Sequence, residues 1–283
     1  MMKFSRLLQR YGLILLIGIA ASCSNSETSS PGAGDNSPAP GGTSAPSGPV
    51  GTIRGIVRLQ GNGPIPATDK TNQDQSTCGD SVSLPRLVLG KDNGVKDTFV
   101  YLEGVPSVPA DQLPKPASLL MDQQKCQYVP HAMTVPVGTR LDIVNSDSIL
   151  HNVHGNIVGS AGTSTLFNIA QPLKGAPTKT PALENPGMIF LTCEAGHPWM
   201  NAFVYVADNP YVALTRENGD FVIPNVPPGT YKIKMWHEGV TLTSNDKKRQ
   251  KYEYEDPYST TKDVEVTANG ETVVNFDFSL RRI

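Results

Sequence analysis

The sequence has little charge and no long hydrophobic run. Lys and Arg number 24 against 26 Asp and Glu in 283 residues, so charged residues make up only 18% and the formal net charge is −2. Recognition of a nucleic-acid backbone needs Lys and Arg clustered against phosphates, and this balance therefore predicts no nucleic-acid partner. The uncharged run at residues 11–21 is also shorter than the about 20 residues that a membrane-spanning helix needs.

Turn-forming residues are abundant instead. The 26 Gly and 24 Pro disfavour long helices and favour short strands joined by turns. Alternation within the run 139–144 places Leu141 and Ile143 on one face of a strand. The dipeptide Asn269-Gly270 is typical of the tight turn of a β-hairpin. Together these patterns predict an all-β fold, with strand-like runs at 52–59, 97–102, 139–144, 188–192, 202–206, 263–266 and 272–278.

The N-terminus has the layout of an export signal. Lys3, Arg6 and Arg10 precede the uncharged run, and small residues then lead to Cys23. After this segment, 17 of the 26 residues at 24–49 are Ser, Gly or Pro, which is too little apolar surface for a packed core. The sequence thus predicts a signal peptide at 1–23 and a linker at 24–50.

Residues 19–23, Ile-Ala-Ala-Ser-Cys, resemble a bacterial lipobox, although Ala20 stands where that motif usually has Leu. The resemblance implies that Cys23 carries a lipid that anchors the exported protein to a membrane, in the periplasm or at the outer membrane or cell surface. An ordinary secretory signal with an incidental Cys is the alternative.

One short loop contains three side chains that can bind a metal ion through sulfur or nitrogen. Cys193, His197 and Met200 lie within eight residues, between two strand-like runs. A thiolate, an imidazole and a thioether are together suitable ligands for copper. Copper sites that transfer electrons have a second His as a further ligand. His151 and His154 are the upstream candidates, and in an extended chain they face opposite ways. We select His151.

The run 128–139, continued through Asn145 to residues 151–153, resembles the stretch of the cupredoxins, the plastocyanin-like blue-copper family, that leads to their first copper His. The resemblance implies a cupredoxin Greek-key sandwich at 117–207, with Asn152 and Asn145 supporting the ligands. Ile189 stands where a binuclear copper domain has a second Cys, so one copper ion is implied. Its ligands would be His151, Cys193, His197 and Met200.

Two further features surround this candidate site. An exported protein meets oxidising conditions, so Cys78 and Cys126 either pair with each other, leaving Cys193 free, or one of them pairs with Cys193 and abolishes the site. Apolar residues flank the two His ligands and form a candidate docking surface for a redox partner, although Trp199 could equally be a core residue. The surface comprises Leu150, Pro198 and Trp199.

A second domain follows the cupredoxin-like stretch. Residues 213–233 resemble the carboxypeptidase regulatory-like β-sandwich, and 51–59 and 94–104 resemble its opening strands. The resemblance implies an immunoglobulin-like or prealbumin-like sandwich at 208–283, with residues 51–116 supplying its first strands and the cupredoxin-like domain inserted between the two parts.

The resulting hypothesis is a mononuclear copper protein that carries single electrons and is not an enzyme, because four protein ligands leave no open position for a substrate. A c-type cytochrome or a membrane oxidoreductase would be its partner. The alternatives are a non-redox scaffold or binding lipoprotein at the cell surface, and a copper storage or delivery protein.

Overall fold

The computed structural model describes residues 48–61, 68–71, 73–84, 86–159, 162–246 and 251–281. The predicted signal peptide, Cys23 and most of the linker lie outside these ranges. A four-residue helix, α1 (Gln75–Cys78), and two short 3₁₀ helices, Lys91–Asn93 and Ala110–Gln112, interrupt the strands. Within the described residues, no helix combines the length and the hydrophobicity that crossing a membrane requires.

The fold is all-β, as predicted. The strands, numbered along the chain, are β1 (Gly51–Leu59), β2 (Thr68–Lys70), β3 (Ser81–Ser83), β4 (Phe99–Glu103), β5 (Leu120–Gln124), β6 (Gln127–Val129), β7 (Ala132–Pro136), β8 (Asp142–Asn145), β9 (His151–Gly159), β10 (Gly162–Gln171), β11 (Thr178–Lys179), β12 (Gly187–Thr192), β13 (Asn201–Ala207), β14 (Val212–Leu214), β15 (Asp220–Val226), β16 (Gly229–His237), β17 (Leu242–Asp246), β18 (Lys251–Tyr254), β19 (Tyr258–Val266), β20 (Glu271–Val273) and β21 (Phe276–Phe278).

The first sandwich pairs a five-stranded sheet, in the order β10-β9-β12-β13-β7, with a four-stranded sheet, in the order β11-β8-β5-β6. Leu191 and Val204 from the larger sheet share one buried cluster with Met121 and Ile143 from the smaller. Leu141 and Ile143 are both fully buried, which confirms the face predicted from their alternation. The core is therefore filled by alternate residues of both sheets, as in other β-sandwiches.

The second sandwich takes strands from both ends of the described chain. One sheet has the order β15-β1-β20, with β21 also paired to β1, and the other has the order β14-β4-β16-β19. Ile53 and Ile223 pack in one buried cluster with Val100 and Ile233. Strands that precede the first sandwich in sequence thus pair with strands that follow it, while the exact domain boundaries stay predictions.

The hairpin predicted around Asn269-Gly270 is wrong. The turn itself forms, with Asn269 in the left-handed region at φ 54°, but β19 pairs with β16 and β20 pairs with β1. The Asn269 amide donates to the Val50 carbonyl, and the Thr52 amide donates to the Gly270 carbonyl. Because β1 captures the backbone at the turn, the chain crosses from one sheet to the other instead of folding back.

A buried charge cluster joins the two sandwiches. Glu238, directly after β16, contacts both Arg86 and His131, and the side chains of Arg86 and Glu238 are only 6% and 5% exposed. Arg86 Nη1 also donates to Asn201 Oδ1 (2.9 Å), at the start of β13. Buried charges require such partners, since an unpaired one is strongly destabilising.

The same contacts move two pKa values in opposite directions. Burial opposes ionisation of Glu238, but the charges of Arg86 and His131 outweigh it and hold the carboxyl pKa below its ordinary 4.5. Burial likewise opposes the charged form of His131, and Glu238 outweighs it and raises the imidazole pKa above 6.5. Stability from Glu238 is lost as the pH falls below its depressed pKa, and stability from His131 is lost as the pH rises through its raised pKa.

We expect Glu238→Gln to lower the free energy of unfolding by about 3–5 kcal/mol, because it leaves buried cations without their anion. The difference from wild type should be largest between about pH 4.5 and 6.5 and should shrink on both sides, as measured by urea unfolding across pH. Glu217→Gln is the control, since that side chain is 73% exposed and pairs with Lys96 at the surface. An equal loss in both variants would contradict the assignment.

Candidate metal centre

The loop that carries Cys193, His197 and Met200 connects β12 to β13 and is closed by its own backbone. The Cys193 amide donates to the Met200 carbonyl (3.3 Å), and the Met200 amide donates to the His197 carbonyl (2.9 Å). Gly196 has φ 94°, a conformation that side chains rarely adopt, and a Cβ there would collide with the Gln73 side chain. This glycine therefore permits the tight loop. In that loop the thiol of Cys193 and the imidazole of His197, four residues apart, lie on the same side of the backbone.

The upstream imidazole comes from the first residue of β9. This strand pairs with β12, with His154 opposite Thr192, which brings the start of β9 beside Cys193. The ring of His151 is fully buried, whereas His154, on the opposite face, contacts Glu194 and Thr165 near the surface. Alternation in the sequence predicts that only one of these two histidines can face the site.

Three donor atoms converge on one point. The Nδ1 atoms of His151 and His197 lie 3.2 Å apart, and the Cys193 Sγ lies 4.0 Å and 3.7 Å from them. Metal–nitrogen bonds of about 2.0–2.1 Å and metal–sulfur bonds of about 2.3 Å to one shared centre give edges of this length. The free thiol is buried, and the three side chains can hold one ion without rearrangement.

A carboxylate lies against the outer nitrogen of each imidazole. His151 Nε2 lies 2.9 Å from Asp147 Oδ2, and His197 Nε2 lies 3.0 Å from Asp74 Oδ2. Metal-binding histidines characteristically donate their second N–H to such a group, which fixes the ring orientation. Each carboxylate therefore leaves the Nδ1 lone pair of its imidazole directed at the shared point. Sequence reasoning missed both residues.

Asp74 belongs to a segment that covers His197. Gln73 Nε2 donates to the Ala195 carbonyl (3.0 Å), and α1 follows directly, ending at Cys78. Cys78 forms a disulfide with Cys126, which leaves Cys193 free. The sulfur atoms of this disulfide and a ring nitrogen of His197 lie within 4.8 Å of one another. We call residues 73–78 the strap.

Burial sets the protonation of the ligands. It raises the pKa of the Cys193 thiol, although backbone amides that donate to the sulfur offset part of this effect. Burial, followed by the proximity of His151, lowers the pKa of His197. The imidazole is thus neutral and ready to coordinate, while the thiol needs a nearby cation in order to lose its proton.

The donor set fits copper better than zinc. Met200 is 1% exposed and lies in the same buried cluster as Cys193, so the loop that carries the thiol also carries a buried thioether. Structural zinc sites use further Cys, His or carboxylate ligands instead, whereas two imidazoles, a thiolate and a weak thioether are the ligands of electron-transfer copper.

The two asparagines hold the ligand-bearing segments together. Asn152 Oδ1 accepts a hydrogen bond from the Glu194 amide, which ties β9 to the residue after Cys193. Asn145 Nδ2 donates to the Ile149 carbonyl (2.8 Å), and its Oδ1 accepts from the Asp147 amide (2.9 Å). Asn145 thereby shapes the turn that presents Asp147 and His151.

The structure corrects the predicted docking surface at one residue. Trp199 is 4% exposed and donates its indole N–H to the Cys126 carbonyl (3.0 Å), so its ring belongs to the core. Leu150 is 48% exposed beside His151, and Pro198 is half-buried beside His197. An apolar edge next to the ligands therefore remains, but without the indole.

Comparison with known proteins supports two sandwiches of different kinds. The family described as polysaccharide lyase family 4, domain II, matches residues 186–274. A purple cupredoxin from Nitrosopumilus maritimus is 32% identical over 28% of this chain and 81% of its own, with a TM-score of 0.24. The first sandwich is cupredoxin-like. The second is similar to fibronectin type III and immunoglobulin domains.

Two further matches have lower sequence identity. A Cu(I) form of an amicyanin mutant is 17% identical over 38% of this chain and 98% of its own, with a TM-score of 0.27. A Cu-containing nitrite reductase from Thermus scotoductus is 20% identical over 37% of this chain, with a TM-score of 0.29, and this chain spans 28% of that enzyme. No curated protein matches the sequence.

The carboxylates give a graded prediction for metal affinity. We expect Asp147→Ala to weaken copper binding by up to about 100-fold and Asp74→Ala by about tenfold, because losing the outer partner of a ligating His typically costs 10–100-fold and Asp74 is the more exposed of the two. Dissociation constants would be measured by competition with a chelator. Asp80→Ala, an exposed residue just beyond the strap, is the control and should bind as wild type. Equal affinities in all three variants would contradict the orienting role.

Proposed function

We propose that this protein is a single-electron carrier that holds one copper ion between His151, Cys193, His197 and Met200. The observation that carries the proposal is the convergence of two Nδ1 atoms and one Sγ within 4.0 Å of each other, with each imidazole oriented by its own carboxylate. A bound copper ion would supply one-electron chemistry by alternating between Cu(II) and Cu(I).

The protein side chains favour electron transfer over catalysis. Both imidazoles and Met200 are at most 1% exposed, and four protein ligands leave no open position at which a substrate could bind. Hydrogen bonds through Asn152, Asp147 and Asp74 hold the donors in one arrangement. A carrier benefits from such rigidity because its ligands need to move little when the charge of the ion changes.

Copper delivery is less consistent with this geometry. Release of the ion would require His197 to swing outward, but the strap covers it and the Cys78–Cys126 disulfide fixes the strap. A scaffold without metal would not need the paired carboxylates at buried imidazoles. The carrier therefore accounts for more of the observed contacts than either alternative.

The cellular setting is part of the proposal. The export signal and lipobox-like residues 19–23 support an exported lipoprotein attached to a membrane through Cys23, with the linker holding the folded part near the surface. The redox partner would be a c-type cytochrome or a membrane oxidoreductase. Leu150 and Pro198, beside the two His ligands, form the apolar edge at which it would dock.

The test is colour. We expect one equivalent of Cu(II) to give intense visible absorption from thiolate-to-copper charge transfer, and we expect both Cys193→Ser and His151→Ala to abolish it, because each removes one of the converging donors. His154→Ala is the matched histidine control and should keep the absorption, since both of its ring nitrogens contact other residues.

Electron transfer is checked separately by reversible one-electron reduction of the loaded protein in voltammetry. A colourless stoichiometric mixture, or colour that survives in Cys193→Ser, would overturn the proposed centre. A coloured protein that cannot be reduced reversibly would overturn the carrier role alone.

A further inference from the structure

A cleft with no assigned role lies between the two sandwiches, away from the metal centre. Its volume is about 540 Å³, within the range of about 300–1,000 Å³ typical of small-molecule sites. One wall is formed by β12 and β13, and the other by β4, β16 and β18. Its floor is mainly aromatic, with Tyr101, Phe190, Phe203, Tyr205, Trp236 and Tyr254 among the lining residues.

Four of these rings form two stacked pairs. Tyr101 and Tyr205 stack across the sandwiches with centroids 4.8 Å apart, and Phe190 and Phe203 stack at 5.0 Å on adjacent strands. Trp236 stands edge-on to Phe203 at 5.1 Å. All but Phe203 remain partly exposed to the cleft, which is unusual for so many large rings in one place. A further aromatic ring could add stacked or edge-to-face contacts of the same kind.

The charged groups at the cleft are already engaged within the protein. Arg86 pairs with Glu238, and Lys234 lies 3.2 Å from Glu103. The Glu255 carboxylate accepts hydrogen bonds from the Thr241 amide (2.9 Å) and the Tyr258 hydroxyl (2.7 Å). Among the described residues that line the cleft, a charged ligand would therefore lose its hydration without gaining an uncommitted counter-charge.

We propose that this cleft binds an uncharged, flat aromatic molecule, which its volume and aromatic lining accommodate. The inference does not rest on the copper centre. The two sites are nevertheless linked by the chain, because Phe190 faces the cleft three residues before Cys193 on the strand that leads to the metal loop.

The test uses the purified full chain, both copper-free and copper-loaded, with N-phenyl-1-naphthylamine as an uncharged fluorescent probe. We expect saturable binding with one site per chain in both forms. The sulfonated analogue 1-anilinonaphthalene-8-sulfonate should bind at least about tenfold more weakly, because its charge would be buried without a partner. Maltohexaose should not displace the probe.

Variants locate the site. Met188→Arg places a charge on the cleft wall and should weaken probe binding at least about tenfold, whereas Leu173→Arg, at a side chain 73% exposed outside the cleft, should leave it unchanged. If Met188→Arg does not fold, the double variant Tyr101→Leu, Tyr205→Leu removes one stacked pair while keeping apolar volume and should weaken binding several-fold.

Three results would overturn the proposal. These are an absence of saturable probe binding, sulfonated-probe binding as tight as that of the neutral probe, and displacement by maltohexaose, which would make the cleft a sugar site. The two proposals can fail independently. If the probe does not bind, the copper-loaded protein can still show its visible absorption. If that absorption is absent, the copper-free protein can still bind the probe.

Discussion

The candidate metal centre depends on the pairing of each buried imidazole with a carboxylate. A histidine can present either ring nitrogen, and the atom that it offers is decided by what the other one contacts. Asp147 and Asp74 contact the Nε2 atoms of His151 and His197, so both Nδ1 atoms are directed at the Cys193 sulfur. Without these contacts the same residues would still be neighbours, but their donor atoms would not be directed at one shared point.

The strap and its disulfide cover these buried side chains. Gln73 and Asp74 lie over the metal loop, and the Cys78–Cys126 bridge ties them to the turn between β5 and β6. The Asp147 carboxylate accepts a hydrogen bond from the Cys126 amide and also contacts His151. One hydrogen-bonded unit therefore includes the strap, the disulfide and both ligand-bearing segments. Electrostatic interactions are stronger in such a buried site, and Leu150 beside His151 remains exposed at its edge.

Local patterns predicted the secondary structure well and the long-range pairings less well. The alternation around Leu141 and Ile143 identified β8 and its buried face because a strand repeats every two residues. Asn269-Gly270 correctly indicated a turn, but the hairpin failed, since β1, more than 200 residues away, competes for the same backbone groups. A turn signal describes four residues, whereas a sheet partner can be anywhere in the chain.

The sequence by itself determined the all-β fold and the donor types, because the chemistry of Cys193, His197 and Met200 and their spacing are local properties. It also limited the upstream ligand to one of His151 and His154, whose side chains lie on opposite faces of a strand. Asp147, four residues before His151, carried a weak local sign of its role, but Asp74 carried none, since 123 residues separate it from His197. Only the tertiary structure decided that the strap covers the metal loop, that Trp199 is a core residue, and that an aromatic cleft forms between the sandwiches. Each of these depends on contacts between distant segments, which no local pattern of residues encodes.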